Sequence, residues 1–258
     1  MRFLLISIII ITCTAAYLWY TSSSPQVEPK QHIGQHSSKE LTTNKNWTIF
    51  RNNQALTGRV AADFPPRLIP QWTYQCKGDI QSSPIIAENI IFIGCENENL
   101  YALDLFTGQN VWQFESDDMI SAPPLYLSAN IIFGSESGSL YSLEAKSGKT
   151  NWVQRFDSKI SGGVNYNTIN YKNYLYFGSY DNKLYCINED DGAIYWSYET
   201  ENYLNGTPAI SNGLVSIGGC DQFMRAIDAI SGVEKHAVEL GSYIAGSAAI
   251  ENSIAYIG

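Results

Sequence analysis

The chain has 258 residues, of which 45% are hydrophobic and 16% are charged. This composition supports one large folded domain and excludes disorder over most of the chain. With 25 acidic against 16 basic residues the net charge is −9, which argues against a nucleic-acid partner because phosphate binding needs a basic surface.

The first predicted element is an apolar segment at the amino terminus, residues 1–20. Aliphatic and aromatic side chains follow Arg2 almost without interruption, which predicts a signal peptide or an uncleaved signal anchor. Lipidation of Cys13 is a third possibility, although Thr12 stands where a lipoprotein signal usually has Gly or Ala. All three alternatives place the folded part outside the cytoplasm, with this segment as its only membrane contact.

Residues 21–46 follow as a predicted disordered linker. They are rich in Ser, Thr, Lys and Gln and contain no aromatic side chain, so they cannot bury enough apolar surface to offset their chain entropy. His32 and His36 lie here without acidic or thiol companions, and we therefore expect no metal site.

Residues 47–258 carry an internal repeat marked by two series of glycines with the same three intervals of 40, 44 and 40 residues. The first series ends a predicted second strand, and the second lies in the turn before a predicted fourth strand. The series are Gly94, Gly134, Gly178 and Gly218, and Gly108, Gly148, Gly192 and Gly232. A period of about 40–45 residues with four strands per unit predicts an all-β fold, a β-propeller of four-stranded antiparallel blades.

Each glycine has a predicted structural role. In the first series it allows close backbone approach, and in the second it supplies the positive φ of a tight hairpin. A tryptophan in step with the repeat is expected to fill the wedge between neighbouring blades, with its indole N–H on a backbone acceptor. These residues are Trp72, Trp112, Trp152 and Trp196, with His236 at the same position in the last unit.

The segment from Leu100 to Trp112 resembles the repeat of the pyrroloquinoline-quinone (PQQ)-like β-propellers, and the segment from Trp47 to Asn53 resembles the start of their domain. That superfamily includes quinoprotein dehydrogenases, which use PQQ with calcium or a lanthanide, and a BamB-like noncatalytic branch of binding platforms. Its rings usually have seven or eight blades, so the resemblance implies that the roughly five blades here belong to a truncated ring. A closed five-bladed ring completed by Trp47–Tyr74 is the alternative.

The motifs of enzymes in this superfamily are not found in the sequence. The resemblance implies adjacent cysteines in a dehydrogenase, but Cys76, Cys95, Cys186 and Cys220 are all separated. In an oxidising compartment these four could form disulfides in three possible pairings, but we expect them to be buried free thiols. The sequence also lacks hydrolase, zinc and phosphate-loop motifs. We therefore expect no catalytic residue, cofactor or metal, and predict an extracytoplasmic scaffold for protein partners in the cell envelope. Outer-membrane protein assembly is the specific role that the resemblance implies, and a fragment of a PQQ- and calcium-dependent dehydrogenase is the alternative.

Two exposed surfaces are candidates for binding. The turns after the second and fourth strands should share one rim, which gathers acidic residues: Glu96, Glu98, Asp117, Asp118, Asp181 and Asp221. This rim is expected to be strongly negative, either simply solvated or suited to a basic partner or a divalent cation. On the opposite rim, the four-residue excess of the third unit falls in Asn165–Tyr171, which predicts an exposed loop for contacts.

Overall fold

The computed structural model describes residues 46–60 and 67–258. The predicted signal segment and the linker up to residue 45 lie outside these ranges. The helical structure of the described residues is one short 3₁₀ turn at Phe50–Asn52. No helix in the described ranges is both long and apolar enough to cross a membrane.

The described residues form four sheets of four antiparallel strands each and a fifth of two strands, in chain order. The first sheet has β1 (Ile85–Ala87), β2 (Ile90–Gly94), β3 (Asn99–Asp104) and β4 (Asn110–Glu115). The second has β5 (Leu125–Leu127), β6 (Asn130–Gly134), β7 (Ser139–Glu144) and β8 (Thr150–Arg155). The third has β9 (Asn165–Ile169), β10 (Lys172–Gly178), β11 (Lys183–Asn188) and β12 (Ile194–Glu199). The fourth has β13 (Ala209–Ser211), β14 (Leu214–Gly218), β15 (Phe223–Asp228) and β16 (Glu234–Glu239), and the fifth has β17 (Ala249–Glu251) and β18 (Ile254–Tyr256).

The burial of successive strands shows how each sheet is oriented. In the first three sheets the third strand is mostly buried on both faces, while the fourth strand alternates between exposed and half-buried residues, as in β3 and β4. In the fourth sheet β15 is partly buried and β16 is exposed throughout. The fourth strand is therefore the outer edge of its sheet and the first strand its inner edge. The register slips by one residue at the same place in each third-to-fourth strand pair, for example between Ala102 and Leu103.

The hydrophobic core lies in layers between neighbouring sheets. One layer joins Phe92 of the first sheet to Phe133 of the second, and the next joins Leu125 of the second to Phe177 of the third. A further layer joins the third and fourth sheets. Apolar residues on both faces of a sheet need a neighbour on each side, and side-by-side packing of whole blades provides it. The structure confirms the predicted fold class, a partial β-propeller.

The glycines that end the second strands pack closely against an aliphatic side chain, and not only against backbone atoms as predicted. At Gly178 an added Cβ would lie 2.6 Å from the Cβ of Leu204, the residue that enters the core before the fourth sheet. Isoleucines hold this position against the other three glycines of the series. The expectation of close packing here is right, but the main neighbour is this aliphatic side chain.

The predicted loop at Asn165–Tyr171 is wrong, because these residues form β9 and the turn into β10. The other four-stranded sheets have a three-residue first strand and a five-residue second strand, whereas β9 has five residues and β10 has seven. The four extra residues therefore lengthen a hairpin. Asn165 is fully buried and donates from Nδ2 to the carbonyls of Gln54 at 2.8 Å and Pro208 at 2.7 Å, which explains how a polar segment occupies an inner strand.

A central segment, residues 46–58, contacts the inner strands of all five sheets. Trp47 forms a bridge with Ile86 of β1. Backbone hydrogen bonds connect the segment to the second, fourth and fifth sheets, through Tyr126 N to Thr48 O, Ile210 N to Gln54 O and Ile250 N to Ala55 O, at 2.7 to 2.8 Å. Asn165 provides the contact with the third sheet. In its described part, the segment from Trp47 to Tyr74 adds no further strand to a sheet, so the alternative of a ring closed by its strands receives no support.

Candidate functional site

One face of the propeller, the upper face, consists of the turns between second and third strands and the loops between sheets. A repeated backbone hydrogen bond joins the two sets: the amide of a turn residue donates to the carbonyl of a loop residue. The four pairs are Glu96 with Asp79, Glu136 with Met119, Tyr180 with Lys159 and Cys220 with Tyr203, at 2.9 to 3.1 Å. Turns and loops thus share one rim, and their side chains form one continuous surface.

The chemistry of this surface changes from repeat to repeat. In the first two repeats the turn residues are Glu96, bonded to Gln81, and Glu136. Glu136 accepts hydrogen bonds from Ser121 and Ser161 and is paired with Lys159 at 3.1 Å. Burial raises the pKa of Glu136, but these hydroxyl groups and Lys159 outweigh burial and lower it. The carboxylate is therefore charged at neutral pH.

Tyr180 replaces the acid in the third repeat and Cys220 replaces it in the fourth, where the loop residue is Tyr203. The Lys159 ammonium lies 4.2 Å from the ring centre of Tyr180, within cation–π range. The rings of Tyr180 and Tyr203 are stacked with centres 4.5 Å apart. Tyr243 and Met119 are also exposed on this face, at 72% and 40%. Exposed aromatic and methionine side chains are enriched in protein interfaces.

A cavity of about 460 Å³ lies where the acidic and aromatic parts meet. Its wall includes Glu96, Met119, Glu136, Lys159 and Tyr180. The charges around this cavity are mixed rather than uniformly negative, because Lys159 lies beside Glu136. This arrangement suits the side chains of a protein partner better than a free anion.

Three of the six acidic residues predicted for partner binding make no bond to an arginine or a tyrosine side chain among the described residues. Glu96 lines the cavity, and Glu98 is exposed in the turn before β3. Asp118 is half-buried and accepts a bond from the amide of Met119 at 2.8 Å. These three carboxylates remain candidates for contact with a partner.

Asp117 instead links two sheets. Its carboxylate accepts hydrogen bonds from Ser135, Ser137 and Ser139 of the second sheet at 2.6 to 2.9 Å, and Arg155 lies at 2.8 Å. Burial raises the pKa of Asp117, but the hydrogen bonds from these hydroxyl groups lower it to about 2. Its charge therefore serves the contact between the first and second sheets.

Asp181 and Asp221 each bind a residue four positions later on the next strand. The Tyr185 hydroxyl donates to Asp181 at 2.6 Å, and Arg225 pairs with Asp221 at 2.7 Å, with both side chains more than nine-tenths buried. Half of the predicted acidic set is thus engaged within the chain. The free negative charge of the rim is smaller than the sequence predicts.

The predicted blade-docking residues lie between sheets. Each tryptophan rests on the glycine turn of the next sheet, and its Nε1 donates to a backbone carbonyl beside that turn at 2.9 to 3.2 Å. The pairs are Trp72 with Gly108, Trp112 with Gly148, Trp152 with Gly192 and Trp196 with Gly232. All four glycines have φ near +70°. His236 is exposed on β16.

At the propeller axis, Phe50 and Arg51 line a cavity of about 290 Å³ together with residues of the loops that precede the five sheets. Its wall is made of small and polar loop residues, and Arg51 donates to the carbonyl of Ser247 at 3.0 Å. Among the described residues, no carboxylate lines this cavity. The described residues also contain no cluster of three or more His, Cys, Asp or Glu side chains. These residues therefore do not fit a quinone held with a metal ion.

The four described cysteines are buried and free. The sulfur atoms of Cys76 and Cys95 lie 3.1 Å apart, a proximity that sequence reasoning missed. The exposed tyrosines of the upper face were missed as well. Their repeat positions carried the signal, since Tyr203 and Tyr243 occupy the loop position of Met119 and Lys159 in the earlier repeats.

Comparisons with known proteins agree with this architecture. A family model described as outer membrane protein assembly factor BamB matches residues 70–158 and 136–253, most of the chain. No curated protein sequence matches.

Solved structures show the same fold at low identity. BamB from Moraxella catarrhalis is 20% identical with a TM-score of 0.59, over 69% of this chain and 57% of that chain. The quinohemoprotein alcohol dehydrogenase from Comamonas testosteroni is 13% identical with a TM-score of 0.67, over 80% and 43%. The computationally designed protein Ika8 is 15% identical with a TM-score of 0.59, over 67% and 53%. The chain thus spans about half the length of these structures.

Proposed function

Because the chain belongs to the family of PQQ-like repeat β-propellers described by the BamB model, we propose that it is a noncatalytic scaffold that binds a protein partner in the cell envelope. The family supports the scaffold role in general terms. The finer role that we propose is assistance in outer-membrane protein assembly, with the domain held outside the cytoplasm by its apolar amino-terminal segment.

The observation that carries this proposal is the composition of the upper face. It combines exposed aromatic and methionine side chains, Tyr203, Tyr243 and Met119, with the carboxylates of Glu96 and Glu136 beside them. Aromatic side chains contribute a large contact area with little loss of side-chain entropy. Neighbouring carboxylates orient a partner that carries basic residues.

The rival proposal is a PQQ-dependent dehydrogenase, favoured by the structural similarity to an alcohol dehydrogenase. The cavity at the axis argues against it, because no carboxylate among the described residues lines that cavity to hold a metal ion. A preparation reconstituted with PQQ and calcium and assayed for dye-linked alcohol oxidation discriminates the two. We expect no quinone absorbance and no activity above the untreated protein.

Partner binding is tested by co-purification of the tagged full chain from its native host. The test variant is Tyr203→Ala with Tyr243→Ala, and the control is Phe106→Ala, an exposed aromatic residue in a turn between third and fourth strands. We expect an envelope protein to co-purify with the unmodified chain and the control, and its recovery to fall at least about tenfold with the double variant. Equal recovery with all three would contradict the proposal.

A further inference from the structure

A second cavity, of about 540 Å³, lies between the second and third sheets on the face opposite the upper face, which we call the lower face. This volume is within the range of small-ligand sites, about 300–1,000 Å³. Its wall is mostly polar and includes the amides of Asn130, Asn151 and Asn173. Because it lies away from the upper face, it plays no part in the scaffold proposal.

The side chain of Glu189 is the most unusual feature of this wall. The residue is only 5% exposed. Its Oε2 accepts hydrogen bonds from Ser128 Oγ at 3.0 Å and Asn173 Nδ2 at 2.8 Å. Its Oε1 has no partner among the described residues. A buried carboxylate oxygen without a donor is unfavourable, so the site lacks at least one hydrogen-bond donor.

The other repeats show that this carboxylate is not required by the fold. The equivalent residues follow the third strand of their sheets and accept the hydrogen bond of the docking indole at their backbone carbonyls. They are Leu105, Ala145 and Ala229. Glu189 makes the same backbone bond to Trp152. A large apolar or small residue therefore suffices for blade packing, and the carboxylate needs another explanation.

The third repeat departs from the others at a second point, and both departures meet at this cavity. The lengthened β9–β10 hairpin brings Tyr171, Lys172 and Asn173 to its wall. Tyr171 is fully exposed at the tip. Two independent changes in one repeat, one in a hairpin and one after β11, thus build a single polar cavity.

We propose that this cavity binds a neutral, hydroxyl-rich ligand of the size of a mono- or disaccharide. Lys172 disfavours a cation, while Glu189 and Asp190 disfavour an anion. Ligand hydroxyl groups donate to the carboxylate of Glu189 and exchange hydrogen bonds with Asn130 and Asn151. The exposed ring of Tyr171 supplies an apolar face at the mouth.

Saturation-transfer NMR on the full chain tests this proposal with glucose, galactose, mannose, N-acetylglucosamine, maltose and cellobiose at millimolar concentrations. We expect saturable binding of at least one sugar. Glu189→Ala introduces the residue of the second and fourth repeats, so the fold should persist, and we expect the affinity to fall at least about tenfold. Glu115→Ala, which changes an exposed glutamate at the end of β4, is the control and should bind normally.

Tyr171→Ala provides a second variant whose folding is not in question, because the side chain makes no buried contact. We expect it to weaken sugar binding several-fold. Failure of every sugar to bind, or equal binding by the unmodified chain and both cavity variants, would overturn the proposal. Thermal stabilisation by calcium alone that is lost in Glu189→Ala would also overturn it, since that result identifies a cation site.

Discussion

At the scale of single residues, the glycine that follows each third strand has two separate roles. Gly148 has φ +72°, and an added Cβ would lie 2.8 Å from Trp112. The positive φ is a property of the turn, which its Ser-Gly sequence predicts. The contact with a tryptophan from the preceding sheet is a property of blade packing, which the spacing of the two residues indicates.

Gly148→Ala separates these roles when it is compared with Gly213→Ala. Gly213 has a similar φ of +75° but no neighbour within 4 Å of an added Cβ. We expect Gly213→Ala to lower the free energy of unfolding by about 1 kcal/mol and Gly148→Ala by about 2–4 kcal/mol, because the indole must also move. Urea denaturation measures both values, and equal losses would show that the tryptophan contact adds nothing.

The lowered pKa of Asp117 predicts that the stability of the folded chain falls at acid pH. Its pKa is about 2 in the folded chain, below the ordinary value of 3.8, so the folded state binds this proton less tightly than the unfolded state. The resulting stabilisation is present above about pH 4 and is lost as the pH falls towards 2. We expect Asp117→Asn to lower stability by about 1–2 kcal/mol at neutral pH and to flatten the decline between pH 4 and pH 2.

The matched control for this prediction is Asp118→Asn, since Asp118 accepts one backbone hydrogen bond and belongs to no inter-sheet cluster. Unfolding free energies of the three proteins are compared across that pH range. An unchanged acid dependence in Asp117→Asn would refute the assigned role of the carboxylate.

At the scale of elements, the sequence predicts regular strands well and irregular contacts poorly. Strands β2 and β6 are short apolar runs that end in Gly94 and Gly134, so the first glycine series predicts where they end. The first strand of the first sheet begins only at Ile85, since Ser82 and Pro84 belong to the incoming loop. The polar strand β9 was predicted as a loop because its stability comes from long-range bonds of Asn165, which local periodicity does not contain.

The segment before the first sheet provides a further prediction. Cys76 lies in this segment and Cys95 in the turn after β2, and their sulfur atoms are 3.1 Å apart. A mild oxidant such as diamide accepts two electrons and two protons from these thiols, and we expect a disulfide between them, because only a small movement separates the pair from bonding distance of about 2.05 Å.

Peptide mapping by mass spectrometry under nonreducing conditions detects this bond as a linked peptide pair that has lost two hydrogen atoms. The bond should stabilise the chain by about 3 kcal/mol. Cys186→Ser leaves the pair intact and should oxidise normally, whereas Cys95→Ser should not. A linkage that involves Cys186 or Cys220 instead, with Cys76 and Cys95 still reduced, would contradict the observed proximity.

At the scale of the whole molecule, the sequence predicted the position of the central segment and the bonding of the acidic rim least well. The repeat predicted the propeller and its blades, and the resemblance predicted the family, but neither located residues 46–58 against the inner strands of five sheets. Those contacts depend on residues far apart in sequence, such as Gln54 with Ile210. The acidic rim was predicted from turn positions alone, and the hydrogen bonds of Asp117, Asp181 and Asp221 could not be read from them.

The claim that the upper face binds a protein partner is tested most directly by photo-cross-linking in living cells. A photoreactive amino acid replaces Tyr203 or Tyr243 on the upper face, and Phe106, exposed in a turn between third and fourth strands, in the control. We predict that both upper-face positions cross-link to the same envelope protein and that the Phe106 position does not. Cross-links to that protein from Phe106 alone, or from none of the three positions, would contradict the account.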